Sequence, residues 1–326
     1  MVADVPWNGT LLREAGSEGV FVVYAGAKLP IPSLDGLYAM GLGAQLIHAV
    51  PPGGLDGIPH LPRDGARFAE LSGAEWQITA GARFHLPSAE VRDALIGLGA
   101  LESGVYTVPD GALAAIPLVP SDRSHIRELS SPMEYQIAAG TKFPLADPVE
   151  RNKLVHADQL EWRLSIVPDG AIAGLPVSPP DGAWLRELDS DSEWQIAGGT
   201  KIRLTDAGRR QALSAAGVLL NEIAVVPNGA LAALPEGPVE GALLNEPGAE
   251  TLFVWQCGSL YRIADRAQLD RLVASGKARL PVLTVAGPLT EPAPQERPRC
   301  GPDGTVCPKR GWGIGNPFAP IGCRPE

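Results

Sequence analysis

Five glutamates recur at one place in the chain: Glu14, Glu70, Glu128, Glu187 and Glu246. Thirteen or fourteen residues after four of them stands a base: Lys28, Arg83, Lys142 or Lys201. A carboxylate and a cation at fixed spacing can hold sugar hydroxyls or a cation, and Glu70, Glu128, Glu187, Lys142 and Lys201 are candidate binding residues on that ground. The plainer reading is a cross-strand ion pair copied by repetition, worth about 0.2–1 kcal/mol when exposed. In the last copy Leu260 takes the base's place, so a functional site would be lost there.

Aromatic residues offer a second chemistry, since sugar rings stack on their faces. Phe21, Trp76, Tyr135, Trp194 and Phe253 share one position with an aliphatic residue two further on, which marks core between neighbouring units. Trp7, Trp162, Trp184 and Trp312 have no counterpart in the other copies and are the better ligand candidates, Trp184 and Trp162 among them.

Catalytic and metal signals are poor. The histidines His48, His60, His85, His125 and His156 share no repeat position, and HExxH and GxSxG are absent. Asp189-Ser190-Asp191-Ser192-Glu193 resembles half a calcium loop but lacks the glycine and the distal glutamate, so it reads as a solvated turn. Gly311-Trp312-Gly313-Ile314-Gly315 imitates a dinucleotide fingerprint without a strand before it or a helix after it. The expectation is a protein that is not an enzyme and uses no cofactor or metal.

The elements that must position these residues repeat as well. The glycine after an alternating apolar run falls at Gly26, Gly81, Gly140, Gly199 and Gly258, with spacings of 55, 59, 59 and 59. A later valine recurs at Val50, Val108, Val167, Val226 and Val285. The repeats are 7–63, 64–121, 122–180, 181–239 and 240–294, followed by a Gly- and Pro-rich tail over 295–326.

Each repeat opens at a turn pair such as Asp64-Gly65 or Asp181-Gly182. A short strand, an alternating strand and a tight reversal at the shared glycine follow, then a third strand with apolar residues two apart. The period next changes to that of a helix. Ser33, Ser88, Asp147, Asp206 and Asp265 are N-cap residue types, and Met40, Leu95, Leu154, Leu213 and Leu272 lie seven residues on. Gly99, Gly217 and Gly276 stand where three of the helices should stop. A last strand runs into Pro109, Pro168 or Pro227.

The fold class is therefore a β-rich α+β repeat protein of five β-β-β-α-β units. Repeats of this size are marginal alone and must stack. A closed, five-bladed propeller-like ring is favoured, because five is a count that closes and neither end carries a polar cap. An open array with Pro-containing connectors is the alternative.

Composition bounds the partners. Hydrophobic residues make up 45% and charged residues 20%, enough for a core. A net charge of -10 without a basic stripe argues against nucleic acid. No apolar run approaches the roughly 18 residues of a membrane span. The opening MVADVPWNGT lacks the basic and apolar regions of a signal peptide, so export implies a removed signal or another route, such as a virion. Three of the four cysteines, Cys300, Cys307 and Cys323, crowd the tail, and no CxxC is present. Disulfides in an extracellular setting are expected, best paired Cys300 with Cys307 and Cys257 with Cys323, although four cysteines allow three connectivities.

Gly26-Ala27-Lys28 with Ile31-Pro32-Ser33, and Val108-Pro109-Asp110-Gly111-Ala112-Leu113-Ala114-Ala115-Ile116-Pro117, carry a resemblance. They are similar to a VPDxxLxxIP-type tandem repeat of secreted or envelope-associated proteins of actinobacteria and their relatives. The resemblance covers about 7–294, has no catalytic residue to transfer, and implies an extracellular binding accessory. Repeat five departs at Val285-Ala286-Gly287-Pro288, which puts its last strand in question.

The function expected is a secreted or cell-surface, lectin-like module that binds a glycan or cell-envelope polymer through repeated weak sites. The rival is a structural subunit of a virion or surface layer, whose partners are copies of itself. A hydrolase ranks third.

Overall fold

The protein is described by a computed structural model over residues 6–204, 207–219, 222–285 and 289. Repeat one comprises β1 (Leu11–Glu14), β2 (Val20–Tyr24), β3 (Ala27–Ile31), α1 (Leu34–Ala39) and β4 (Ile47–Val50). Repeat two comprises β5 (Arg67–Glu70), β6 (Glu75–Thr79), β7 (Ala82–His85), α2 (Ala89–Gly97) and β8 (Tyr106–Val108). Repeat three has β9 (His125–Glu128), β10 (Glu134–Ala138), β11 (Thr141–Leu145), α3 (Pro148–His156) and β12 (Leu164–Val167). Repeat four has β13 (Trp184–Glu187), β14 (Glu193–Ala197), β15 (Thr200–Leu204), α4 (Ala207–Ala215) and β16 (Ala224–Val226). Repeat five has β17 (Ala242–Asn245), β18 (Phe253–Gln256), β19 (Ser259–Arg262), α5 (Arg266–Ala274) and β20 (Arg279–Thr284).

Every repeat is thus one four-stranded sheet with one helix, in the strand order third, second, first, fourth. The last strand pairs parallel with the first at β1–β4, β5–β8, β9–β12 and β17–β20. A hairpin cannot join parallel neighbours, so the helix serves as the crossover. The strand questioned in repeat five forms and pairs parallel with the first, with a register shift between Ala242 and Leu243.

Local chemistry explains the element ends. Ser33, Ser88, Asp147 and Asp265 cap their helices by accepting backbone N–H groups, while Asp206 lies outside the described residues. The second hairpin needs more than its glycine. The residue before it (Ala25, Ala80, Ala139, Gly198, Cys257) is also left-handed, at φ 48–60°. Both central residues of a two-residue type I′ turn require this.

The end repeats differ from the central three at four equivalent positions. Central repeats carry Arg67–Glu75–Arg92, His125–Glu134–Arg151 and Trp184–Glu193–Arg210, each joined by short polar contacts to the glutamate. The end repeats place Leu11, Val20 and Leu37, or Leu243, Leu252 and Leu269, there instead. Accordingly Leu95, Leu154 and Leu213 are the buried helix residues centrally, but Leu37 and Leu269 at the ends. The expected anchor Leu272 is only half-buried.

The fourth position is Gln77, Gln136 or Gln195 centrally and Val22 or Val254 at the ends. Each glutamine is at most 1% exposed and donates Nε2 to a carbonyl of the next repeat's last strand: Ile166, Val225 or Thr284, at 2.9, 2.8 and 2.7 Å. Between repeats one and two the join is apolar, with Val22 and Leu29 in one cluster with Phe68, Ile78 and Leu113.

The chain divides into two compact units, one within Met1–Ser178 plus Val225–Ala230, the other within Pro179–Ala224 plus Leu231–Glu326. In the first, Phe84 of repeat two packs on Ile126, Ile137 and Ile172 of repeat three. In the second, Ala197 of repeat four packs on Leu244 and Val285 of repeat five.

Candidate functional site

The repeated glutamates and bases grip the polypeptide that closes each repeat. Glu14 accepts the N–H of Leu55 while Lys28 Nζ donates to the carbonyl of that same residue, at 3.2 and 2.6 Å. Glu128 and Lys142 hold Ile172 likewise, at 3.3 and 2.7 Å, and Glu187 and Lys201 hold Leu231, both at 3.0 Å. Glu70 takes the N–H of Gly111, and Glu246 that of Leu289. The expected cross-strand pair is therefore corrected to a two-sided clamp on one residue. A closing segment rich in Gly and Pro has few backbone partners of its own, and the clamp supplies them.

The same bases cover the repeated aromatics. Arg83 lies 4.9 Å from the Trp76 ring centroid, Lys142 5.9 Å from Tyr135 and Lys201 5.0 Å from Trp194. Trp184 donates Nε1 to Glu193 and packs beside Leu204 and Leu213. Among the described tryptophan candidates, Trp7 and Trp162 stand in solvent, 89% and 83% exposed.

A different set comes together at one end of the repeats. There the opening turn and the loop leaving the helix are bonded, Glu102 N–H to the Gly65 carbonyl and Glu161 N–H to that of Arg123, both 2.8 Å. In the first compact unit this end carries Trp7, 89% exposed, in repeat one, the pair of Arg63, last residue of repeat one, with Glu102 of repeat two, and Trp162 in repeat three. Arg63 meets Glu102 through two hydrogen bonds of 2.8 and 3.0 Å, which hold its guanidinium charged. Its Nη2 also donates to the Tyr106 hydroxyl at 3.0 Å, and Asn8 Nδ2, next to Trp7, donates there at 3.3 Å. Burial, and then the charge of nearby Asp64, push the Glu161 carboxyl beside Trp162 above the usual carboxylate range. These contacts join repeats one and two, and the charge of Asp64 reaches Glu161 beside Trp162 of repeat three; the exposed set at this end is termed the ridge.

Sequence reasoning singled out Trp7 and Trp162 but missed Arg63, Glu102 and Tyr106. The available signal was their departure from the repeat: Ser121, Glu161 and Ser165 hold the equivalent places one repeat on.

Two polar groups elsewhere have shifted acidity. Burial holds the His125 imidazole below its ordinary pKa despite Glu134 at 2.8 Å. Burial opposes ionisation of Glu134, but bonds from Arg151 and His125 outweigh it and keep that carboxyl below the usual range. Among the described residues no cluster of three or more His, Cys, Asp or Glu could hold a metal ion, and no helix is long and apolar enough to cross a membrane. Cys257 sits in the left-handed turn with its N–H on Glu240 at 2.8 Å. Cys300, Cys307, Cys323 and Trp312, and so the expected disulfides, lie outside the described residues.

No family model and no curated protein matches the chain. Two similar solved structures are the periplasmic assembly of the ESX-5 inner membrane complex and the intact ESX-5 inner membrane complex. The first is 15% identical with a TM-score of 0.16, over 72% of this chain and 69% of that one. The second is 17% identical with a TM-score of 0.16, over 71% of this chain and 57% of that one.

Proposed function

We propose that the chain is a non-catalytic extracellular binding module that takes up a glycan or cell-envelope polymer along the ridge of Trp7, Arg63, Glu102, Tyr106 and Trp162. One observation carries this reading. Repetition consumes the repeated polar and aromatic residues in holding the fold, whereas Trp7 and Trp162 stand outside the repeat pattern and are 89% and 83% exposed. An indole left in water has no structural return, and a sugar face is a partner that covers it. Trp7→Ala and Trp162→Ala should each weaken retention on immobilised cell-wall polysaccharide without lowering the melting temperature. Unchanged retention of the double variant sinks the reading. The five-bladed ring stays a proposal on the count of repeats, and a solution scattering profile separates it from the open array.

A second reading, assembly with a protein partner, is favoured by α1. Leu34 and Tyr38 stand one turn apart and are 63% and 65% exposed. The place of Tyr38 is taken by Asp93, Asn152, Gln211 and Asp270 in the other repeats. Sedimentation that shifts with concentration in wild type but not in Tyr38→Asp would support it.

A further inference from the structure

The five repeats act as internal controls for one another, and the first junction departs from the rest. Where repeat two meets repeat three, Thr79 and Ser165 share a hydrogen bond of 3.0 Å and are buried. The equivalent residues between repeats one and two are Tyr24 and Tyr106, whose ring centroids lie 5.2 Å apart. Tyr106 also rests on Phe68 at 5.4 Å, so its ring is seated while its hydroxyl extends to the ridge.

That hydroxyl accepts from Asn8 Nδ2 and from Arg63 Nη2. A phenol has two lone pairs and one proton. With both lone pairs engaged, the proton is directed elsewhere, and among the described residues no hydrogen bond takes it up. Beside it, each Glu102 oxygen accepts from Arg63 and keeps capacity for another donor. The Arg63 and Glu102 charges cancel locally. The junction thus presents one aimed donor, one carboxylate acceptor within a neutral ion pair and, one residue from Asn8, an exposed indole.

We infer that the junction of repeats one and two, around Tyr106, Arg63, Glu102, Asn8 and Trp7, is a subsite for a neutral sugar. It rests on the reading that the ridge binds glycan and narrows it. A pair of neighbouring hydroxyls matches the donor and acceptor, and the apolar face of the ring matches Trp7. A charged sugar would leave its charge uncompensated against an already neutral pair.

The test is calorimetric titration of the full chain with cellohexaose, chitohexaose and maltohexaose as probes. Tyr106→Phe removes only the hydroxyl and leaves the ring against Tyr24 and Phe68. It should weaken the probe that binds best by about tenfold or more, the loss of one directed hydrogen bond. Trp7→Ala, at a side chain in solvent, should weaken it similarly with an unchanged melting temperature. Wild-type binding that survives Tyr106→Phe and Trp7→Ala but is lost in Trp162→Ala overturns the subsite and spares the ridge. Failure of all three probes to bind wild type, whether or not the chain captures a protein, overturns both.

Discussion

Glu187 and Lys201 are joined through the backbone of Leu231, one accepting its N–H and the other donating to its carbonyl, both at 3.0 Å. Because the two side chains act on neutral peptide groups, their contribution is a matter of satisfied hydrogen bonds rather than of Coulomb attraction. Glu187→Ala should cost about 1–3 kcal/mol by stranding the Leu231 N–H. Denaturant titration should give a similar loss at low and high salt, since little screening is expected. A loss that disappears in molar salt would restore the ion-pair reading.

The half-buried and buried leucines of the helices should separate by repeat. Leu213→Ala and Leu154→Ala should each cost about 2–5 kcal/mol, as for truncation in a packed core. Leu272→Ala should cost less, because Leu269 takes the buried place in repeat five. Equal losses at Leu213 and Leu272, read from chemical unfolding, would contradict this.

The buried glutamines should matter by what they leave behind. Gln195→Ala removes the donor to the Thr284 carbonyl and opens space at a fully packed position. The expected cost is about 1–3 kcal/mol, seen as a lower melting temperature. The same change at Gln256, a half-buried residue whose bond to the Lys277 carbonyl is open to solvent, should cost less.

Acid should loosen repeat three. Burial keeps His125 neutral in the folded chain, so the unfolded chain, with an ordinary histidine pKa of about 6.5, binds the proton first. This stability is complete above about pH 6.5 and declines as the pH falls through the unfolded pKa towards the lower folded one. Glu134, also held below its ordinary range, adds a loss of the same sign at lower pH, as its carboxylate is protonated. His125→Arg, which copies Arg67 of repeat two, should flatten the fall in melting temperature between about pH 7 and pH 5. An unchanged slope would remove His125 as its source.

The sequence by itself determined the repeats, their strands and helices and most of their ends. Those features follow from local rules: Ser88 and Asp147 can cap only a helix start, and the turn at Ala80-Gly81 admits few other residue types. Side-chain period likewise marked Leu95, Leu154 and Leu213 as a buried face. Only the tertiary structure decided that the last strand of a repeat lies parallel beside its first, because period reports which face is apolar and not which strand is the neighbour. Tertiary structure also decided what the repeated polar residues do. Glu128 and Lys142 are fourteen residues apart on strands of one sheet, β9 and β11, a spacing that suits an ion pair, yet their partner is the backbone of Ile172, thirty residues beyond the lysine. The ridge was hidden for the same reason. Asn8, Arg63 and Tyr106 meet across a junction of repeats, and no linear spacing records a contact made by stacking one sheet on the next.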